Sequence, residues 1–276
     1  MFHLFKNRRA QLLKLTWQGR SLGGSLPDWA LNTLGPTCVF NAKRVIRKLE
    51  KRDGFYEVEF KNVPGKLYAP VAMSEFELHQ IIAEQFYAWN WHQYQIPQTT
   101  IAPGDYVFDC GCCEGLFPFL NHQRAGKFIC FEPLEPYRQG LAKTFVDTPN
   151  VIVVPEALGD QPERVYFLDK TGIGALVSST PTSLQVDVTT IDLYCQATGY
   201  PMNYLKVDVE GYDLKVLRGA AATIRKYRPK IAIATYHASS HAAEMRAFLL
   251  SLIPDYQILT KGWAIEFGTP VLLHAW

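Results

Sequence analysis

Short continuous apolar runs alternate along the chain with longer segments whose apolar residues recur every three to four positions. The runs at 106–110, 127–131, 151–154, 203–211, 230–235, 257–260 and 270–275 read as strands. The stretches 116–123, 136–146, 213–226 and 242–252 read as helices. In the third of these, Leu214, Val216, Leu217, Ala220, Ala221 and Ile224 gather on one side, Asp213 opens the first turn and Pro229 stops the helix. Such alternation with short connections predicts an α/β fold with a mostly parallel sheet covered on both faces. Upstream, 55–60 and 66–68 flank Val63-Pro64-Gly65 as a hairpin, and a helix over 74–89 leads into the first sheet strand. The segment 164–188, with Gly172, Gly174, Ser178, Ser179, Thr180 and Thr182, is expected to be a β-rich excursion between two sheet strands.

The first sheet strand runs into Asp109-Cys110-Gly111-Cys112-Cys113-Glu114-Gly115, an Asp-x-Gly-x-x-x-Gly turn ahead of a helix. Gly111 and Gly115 let backbone pass a ligand at distances closed to a Cβ, and the N–H groups that open the helix favour a carboxylate. About 20 residues after Gly111 the second strand ends in Glu132, the spacing at which an acid accepts hydrogen bonds from ribose hydroxyls. A dinucleotide pyrophosphate requires Gly-x-Gly-x-x-Gly, and the second of those positions is Cys113 here. A zwitterionic methionine moiety tolerates the wider turn and gains from Asp109 facing its ammonium. The pattern therefore points to S-adenosylmethionine rather than NAD.

Further motifs follow in order: Phe131-Glu132-Pro133, Ala157-Leu158-Gly159, Thr190-Ile191-Asp192, and Leu205-Lys206-Val207-Asp208-Val209-Glu210-Gly211 with Val216-Leu217-Arg218-Gly219-Ala220. With these and Val107-Phe108-Asp109-Cys110-Gly111 through Gly115, residues 100–240 resemble the FkbM family of S-adenosylmethionine-dependent methyltransferases. The family usually has a small residue and Asn where this chain has Cys112 and Cys113. Residues 231–237, ending in Tyr236-His237, look like the fifth strand of one branch, where others have an acidic residue. The resemblance implies the seven-stranded class I methyltransferase fold, Rossmann-like and mostly parallel with its last strand antiparallel, over 74–276, behind a basic extension and hairpin at 1–73. It also implies S-adenosyl-L-methionine as cofactor, with Asp109, Gly111, Cys113, Glu114, Gly115, Glu132, Glu156, Ala157 and Asp208 as candidate contacts.

Open α/β sheets bind ligands beyond the carboxyl ends of their strands, so Asp109, Glu132, Glu156, Asp208, Glu210 and His237 are expected to converge on one crevice. If the acceptor is a hydroxyl, as the resemblance suggests, its lone pair must attack the sulfonium methyl in line while a base takes the proton. Asp208 is the first candidate for base or orienter and His237 the second, with Glu210 beside them. Structural roles compete with each: Asp208 as a helix-entry cap or a partner of Lys206, Glu210 as an acceptor of turn N–H groups, His237 as an ordinary strand-end histidine. Two carboxylates without a third clear ligand do not make a divalent-ion site, so no metal is expected. Phe86, Tyr87, Trp89, Trp91, His92 and Tyr94 are expected to pack a helix on the sheet, with a lid or stacking wall as the alternative.

Composition adds bounds rather than chemistry. A chain of 276 residues with 48% hydrophobic residues can bury one sizeable core. The net charge of +2 conceals a basic start, where Lys6, Arg8, Arg9, Lys14, Arg20, Lys43, Arg44, Arg47, Lys48, Lys51 and Arg52 oppose only Asp28 and Glu50. This reads as a solvated face or tail, with anionic lipid, a polyanionic substrate or an acidic partner as alternatives. Residues 1–17 mix Phe2, Leu4, Phe5, Leu12, Leu13, Leu15 and Trp17 with positive charge, which is compatible with peripheral membrane contact. Residues 19–24 with Pro27 read as a linker. No secretory signal and no apolar run near ~18 residues is visible, and six cysteines without framework spacing suggest reduced thiols in a cytoplasmic chain. Cys110-x-Cys112-Cys113 is a poor metal set because adjacent ligands strain a tetrahedron. An O-methyltransferase acting on a small molecule or glycan stands first. A non-catalytic binding module and an NAD-dependent oxidoreductase are the alternatives. No nucleic-acid partner is expected, for want of an Asn-Pro-Pro-aromatic motif or a zinc ribbon, and the oligomeric state is left open.

Overall fold

The strands of the central sheet are the chain's continuous apolar runs, as expected for strands buried on both faces. In a computed structural model of the protein, which describes residues 26–168, 177–178, 180–264 and 268–276 together with 13, 14 and 17, two helices come first, α1 (Leu26–Leu34) and α2 (Cys38–Val45). An antiparallel meander follows, β1 (Ile46–Arg52), β2 (Phe55–Phe60) and β3 (Leu67–Pro70). The expected hairpin is its second half. β1 has no alternation to read, because only Ile46 and Leu49 are half-buried along a charged edge. The following helix, α3 (Glu75–Phe86), starts at a capping box in which Ser74 and Glu77 satisfy each other's backbone N–H, and it ends before 89. The linker at 19–24 lies outside the described residues.

From there strands and helices alternate: β4 (Tyr106–Cys110), α4 (Leu116–Asn121), β5 (Lys127–Phe131), α5 (Glu135–Thr144) and β6 (Val151–Val154). Then come β7 (Ala157–Leu158), β8 (Glu163–Phe167), β9 (Val177–Ser178), β10 (Leu184–Thr189), α6 (Ile191–Thr198), β11 (Tyr204–Val207), α7 (Asp213–Arg218), α8 (Ala221–Tyr227) and β12 (Lys230–Ala234). The described chain closes with α9 (His241–Leu252), β13 (Ile258–Lys261) and β14 (Leu272–Ala275). The central sheet has seven strands in the order β13-β14-β12-β11-β4-β5-β6. Only β14 runs against its neighbours, inserted between β12 and β13. The excursion is β-rich in its described part, a small sheet of order β7-β10-β8-β9.

Period-two alternation along the sheet divides the interior into two layers. Val107, Phe128, Cys130, Tyr204, Ala232, Ala234 and Leu272 face a core shared with α3, α4 and the meander. Phe108, Ile129, Phe131, Leu205, Val207, Ile231, Ile233 and Leu273 face the core beneath α6 to α9. Residues from Ala42 to Met73 thus share a core with the sheet, and the Tyr68 carbonyl lies so close to Gly140 of α5 that a Cβ there would stand 2.4 Å from it.

The single helix expected over 213–226 is broken into α7 and α8. The break lies at Gly219, where a Cβ would sit 2.0 Å from the Gly159 carbonyl oxygen and 3.2 Å from Thr190 Cβ. Asp192 caps the second piece, accepting from Ala222 N–H at 3.0 Å and Thr223 N–H at 2.8 Å, while its own N–H donates to the Gly219 carbonyl at 2.9 Å. Ala157-Leu158-Gly159, Thr190-Ile191-Asp192 and the Gly219 turn therefore meet as one joint. Gly219→Ala is expected to cost about 2–3 kcal/mol, the upper part of the range for overpacking. Urea denaturation checks this, and an unchanged midpoint would show that the joint is not closed.

Candidate active site

The turn after β4 is built from left-handed residues: Gly111 (φ 75), Cys113 (φ 51) and Gly115 (φ 83). The N–H groups of Gly111 and Cys112 both donate to the Phe131 carbonyl, which ties the turn to the end of β5. The two glycines serve close approaches within the protein, which corrects their assignment to ligand clearance. A Cβ on Gly111 would stand 2.1 Å from the Asp208 carbonyl oxygen, and one on Gly115 would stand 2.4 Å from Leu141 Cδ2. At Cys113 the left-handed backbone is one that Asn adopts more readily than Cys.

Glu132 is buried at the end of β5, its Oε2 accepting from Cys113 N–H and its Oε1 from Leu134 N–H, both at 2.9 Å. Burial pushes its pKa up to about 7, against the pull of those N–H groups, Lys206 and Arg138. Each oxygen keeps a lone pair, as a hydroxyl-binding acid requires. Glu114 is buried too, but it accepts from Leu116 N–H at 3.2 Å at the opening of α4 and so acts on the helix start. Glu156 and Ala157 lie at the entry to β7, half-buried, with Ala157 paired to Val188.

Asp109 does not face outward. It is fully buried, and Lys206 Nζ, 4% exposed, stands 2.9 Å from its Oδ1 as an ion pair off hydrogen-bond geometry. The same ammonium donates to the Gly111 carbonyl at 2.6 Å and lies 5.0 Å from the centre of the Tyr94 ring. The expected contact of Asp109 with an ammonium ligand is thus taken by the protein's own lysine, and Lys206 pairs with Asp109 rather than with Asp208.

Asp208, one residue beyond β11, is the centre of the site. Tyr94 donates to its Oδ2 at 2.6 Å, His92 Nε2 stands 3.4 Å from Oδ2, His237 Nε2 stands 3.5 Å from Oδ1, and the Tyr236 hydroxyl lies 3.4 Å from Oδ1. Burial opposes its charge, but His92, His237 and Lys206 outweigh that and hold it well below the usual carboxylate range. Each imidazole is backed by a second acid: Glu84 Oε2 is 3.0 Å from His92 Nδ1, and Asp213 Oδ2 is 2.7 Å from His237 Nδ1. Glu84, His92, Asp208, His237 and Asp213 form one acid–histidine chain. Burial works against the imidazolium form of both histidines, yet their carboxylates push both pKa values up to about 10. His237, the second candidate base, is therefore already protonated near neutral pH and has no lone pair with which to accept a proton.

Glu210 is left-handed (φ 53), a third exposed, and turns its Oε2 to 3.4 Å from His237 Nε2. The turn-holding role falls instead to Asp213, fully buried, which accepts from Val209 and Gly211 N–H at 3.0 Å each. The structure thus brings Asp208, Glu210 and His237 together and adds Glu84, on which the sequence places no expectation, and His92 and Tyr94, for which it predicts packing. His92 and Tyr94 lie two residues apart in the turns that follow α3, where no strand or helix periodicity marks which side chains face the sheet.

Residues 109–256 match the methyltransferase FkbM domain, more than half of the chain. The chain belongs to the FkbM methyltransferase family. The structure is similar to that of the methyltransferase FkbM from Methylobacillus flagellatus KT, with TM-score 0.52 and 20% identity over 75% of this chain and 56% of that one, a likeness of fold. The chain thus aligns with a little over half of that protein's length. A Streptococcus mutans protein in complex with SAH (TM-score 0.41, 12% identity, 63% of this chain and 89% of that one) is among the other similar structures. So is Aeropyrum pernix fibrillarin with natively bound S-adenosyl-L-methionine (0.42, 11%, 84% and 99%). No curated protein matches the chain in sequence. Glu84, His92 and Tyr94 precede the residues matched to the family domain. Among the described residues no helix is long and apolar enough to cross a membrane, and none of the six cysteines is joined in a disulfide.

Removing the buried ammonium isolates Asp109. Lys206→Met is expected to cost about 3–5 kcal/mol at pH 8. The loss should shrink as pH falls toward the ordinary aspartate range, because a carboxyl whose folded pKa is raised loses stability as pH rises above its unfolded value. Denaturation of wild type and variant at pH 5 and pH 8 checks both the size and the sign.

Proposed function

We propose that the chain transfers the methyl group of S-adenosylmethionine to a hydroxyl of a small molecule or glycan. Family membership supports methyl transfer, and the observation that carries the cofactor is Glu132, a buried acid at the end of β5 joined to the left-handed turn by Cys113 N–H. Its remaining lone pairs suit ribose hydroxyls, and the turn has Cys113 where a pyrophosphate site needs glycine. S-adenosylmethionine supplies a methyl group already activated on a sulfonium, so the protein's work is largely positioning.

Asp208 does that positioning. Kept anionic by its ring of donors, it accepts the acceptor's O–H and aligns the oxygen lone pair. The new C–O bond forms as the C–S bond breaks, and the bonding pair returns to sulfur. The hydroxyl proton leaves through Glu210, the acid of the group that is open to water. His92 and Tyr236, half-buried beside the carboxylate, offer flat rings against which a sugar or planar acceptor can lie, while Tyr94 is buried against them.

Calorimetric titration with S-adenosylhomocysteine and, separately, NAD tests the reading. Saturable binding of S-adenosylhomocysteine alone is expected, and binding of NAD alone would overturn it. Because ribose hydroxyls donate to the ionised Glu132, affinity should rise from pH 6 to pH 8 through its pKa of about 7, and Glu132→Gln should flatten that rise. In a methyl-transfer screen against sugars and polyketide-like hydroxyls, Asp208→Asn should lose turnover by about 100-fold or more while keeping most cofactor affinity. Full turnover by that variant would remove Asp208 from the mechanism.

A further inference from the structure

We propose that Asp208, Glu210 and His237 form a binding site for one divalent metal ion of the kind that takes mixed nitrogen and oxygen ligands, such as Mn2+ or Zn2+. The His237 side chain is 8% exposed, and its Nε2 has no hydrogen-bond partner. Asp208 Oδ1 lies 3.5 Å from that nitrogen and Glu210 Oε2 lies 3.4 Å from it. Both separations are longer than an ordinary N–H···O bond. They match the ligand-to-ligand edges of a coordination shell, about 3.0–3.5 Å when the metal bonds are near 2.1 Å.

The other ring nitrogen supplies the second argument. His237 Nδ1 is 2.7 Å from Asp213 Oδ2, and Asp213 is fixed in turn by the N–H groups of Val209 and Gly211. A carboxylate on the far nitrogen is how metal-ligating histidines are generally oriented, and it directs Nε2 at the two acids. Asp208 divides its oxygens to suit. Oδ2 is taken by Tyr94 and faces His92, while Oδ1 has only the longer contacts to His237 and Tyr236. Asp208, Asp213 and His237 draw their ligand atoms within 4.8 Å of one another, and the partly exposed Glu210 side chain has the freedom to close the set. Two carboxylates alone carried no metal site; His237, brought from the end of the neighbouring strand, is the third ligand. An ion there would hold Oδ1 of the carboxylate assigned to the acceptor hydroxyl, and by making that hydroxyl more acidic it would take over the part otherwise given to Glu210.

The site does not depend on the methyl donor, so the two readings fail separately. An ion at Nε2 takes the lone pair that the proton otherwise holds. Mn2+ titration of the full chain at pH 8, followed by electron paramagnetic resonance, should therefore show one saturable site that Zn2+ displaces, with one proton released per ion bound. His237→Gln and Glu210→Gln should each weaken it about tenfold or more. No saturable Mn2+ or Zn2+ binding to the wild type, or wild-type affinity in His237→Gln, overturns the proposal. Should His237→Gln fail to fold by circular dichroism, unchanged affinity in Glu210→Gln overturns it instead. S-adenosylhomocysteine calorimetry on the same samples reports independently on the cofactor.

Discussion

A single buried ammonium holds the reactive end of this sheet together. Lys206 leaves β11 and meets Asp109 of β4, the carbonyl of Gly111 in the turn, and the face of Tyr94 from the segment before the sheet. Charges in a core are tolerated only when paired, and here the pair crosses between the two strands whose ends make the site. Gly111 completes the contact, because only a residue without a Cβ lets the turn rest on the Asp208 backbone. The turn and Asp208 are therefore one rigid unit. The distance between the turn and Asp208 is set by β4 and β11 pairing side by side, not by loops free to vary.

The chemistry around Asp208 is assembled from both sides of the family domain's edge. Asp208, Glu210, Asp213 and His237 come from the ends of β11 and β12 and the start of α7, whereas Glu84, His92 and Tyr94 come from α3 and the turns after it. The N-terminal meander takes part indirectly. It shares a core with α3 and α5, so the helix that carries Glu84 is seated on the same layer as the sheet. An acid flanked by two histidines, each braced by another acid, puts alternate charges in a row. Burial that would penalise any one of them alone is offset by its neighbours.

Much of the fold was legible because parallel strands buried on both faces are continuous apolar runs, and β5 and β6 fall on the expected residues. What could not be read depended on contacts distant in sequence. β1 is an edge strand with charged residues on most positions, so no periodicity marks it. The break between α7 and α8 is invisible to helical periodicity, since it is imposed by the Gly159 carbonyl some 60 residues away. The candidate site was half legible. Motif and strand-end position locate Asp208, Glu210, His237 and Glu132 but not their partners, and the sequence offers Asp109 as a ligand contact because nothing local shows that Lys206, nearly 100 residues on, pairs with it. His92 and Tyr94 lie in a run of aromatics whose composition suits packing equally well.

The most specific motif in the sequence divides into two tasks. Lys206, Asp208 and Glu210 belong to the reactive cluster, whereas Gly219 belongs to the joint with Gly159 and Asp192. The joint anchors α7, whose first residue, Asp213, orients His237 and closes the Val209–Gly211 turn. Packing at Gly219 thus reaches the imidazole through one short helix. This coupling explains how a chain with Cys112 and Cys113 in place of the family's usual residues keeps its architecture. The turn's shape is fixed by Gly111, Gly115, Phe131 and Glu132 through backbone contacts, and those do not depend on which side chains Cys112 and Cys113 carry.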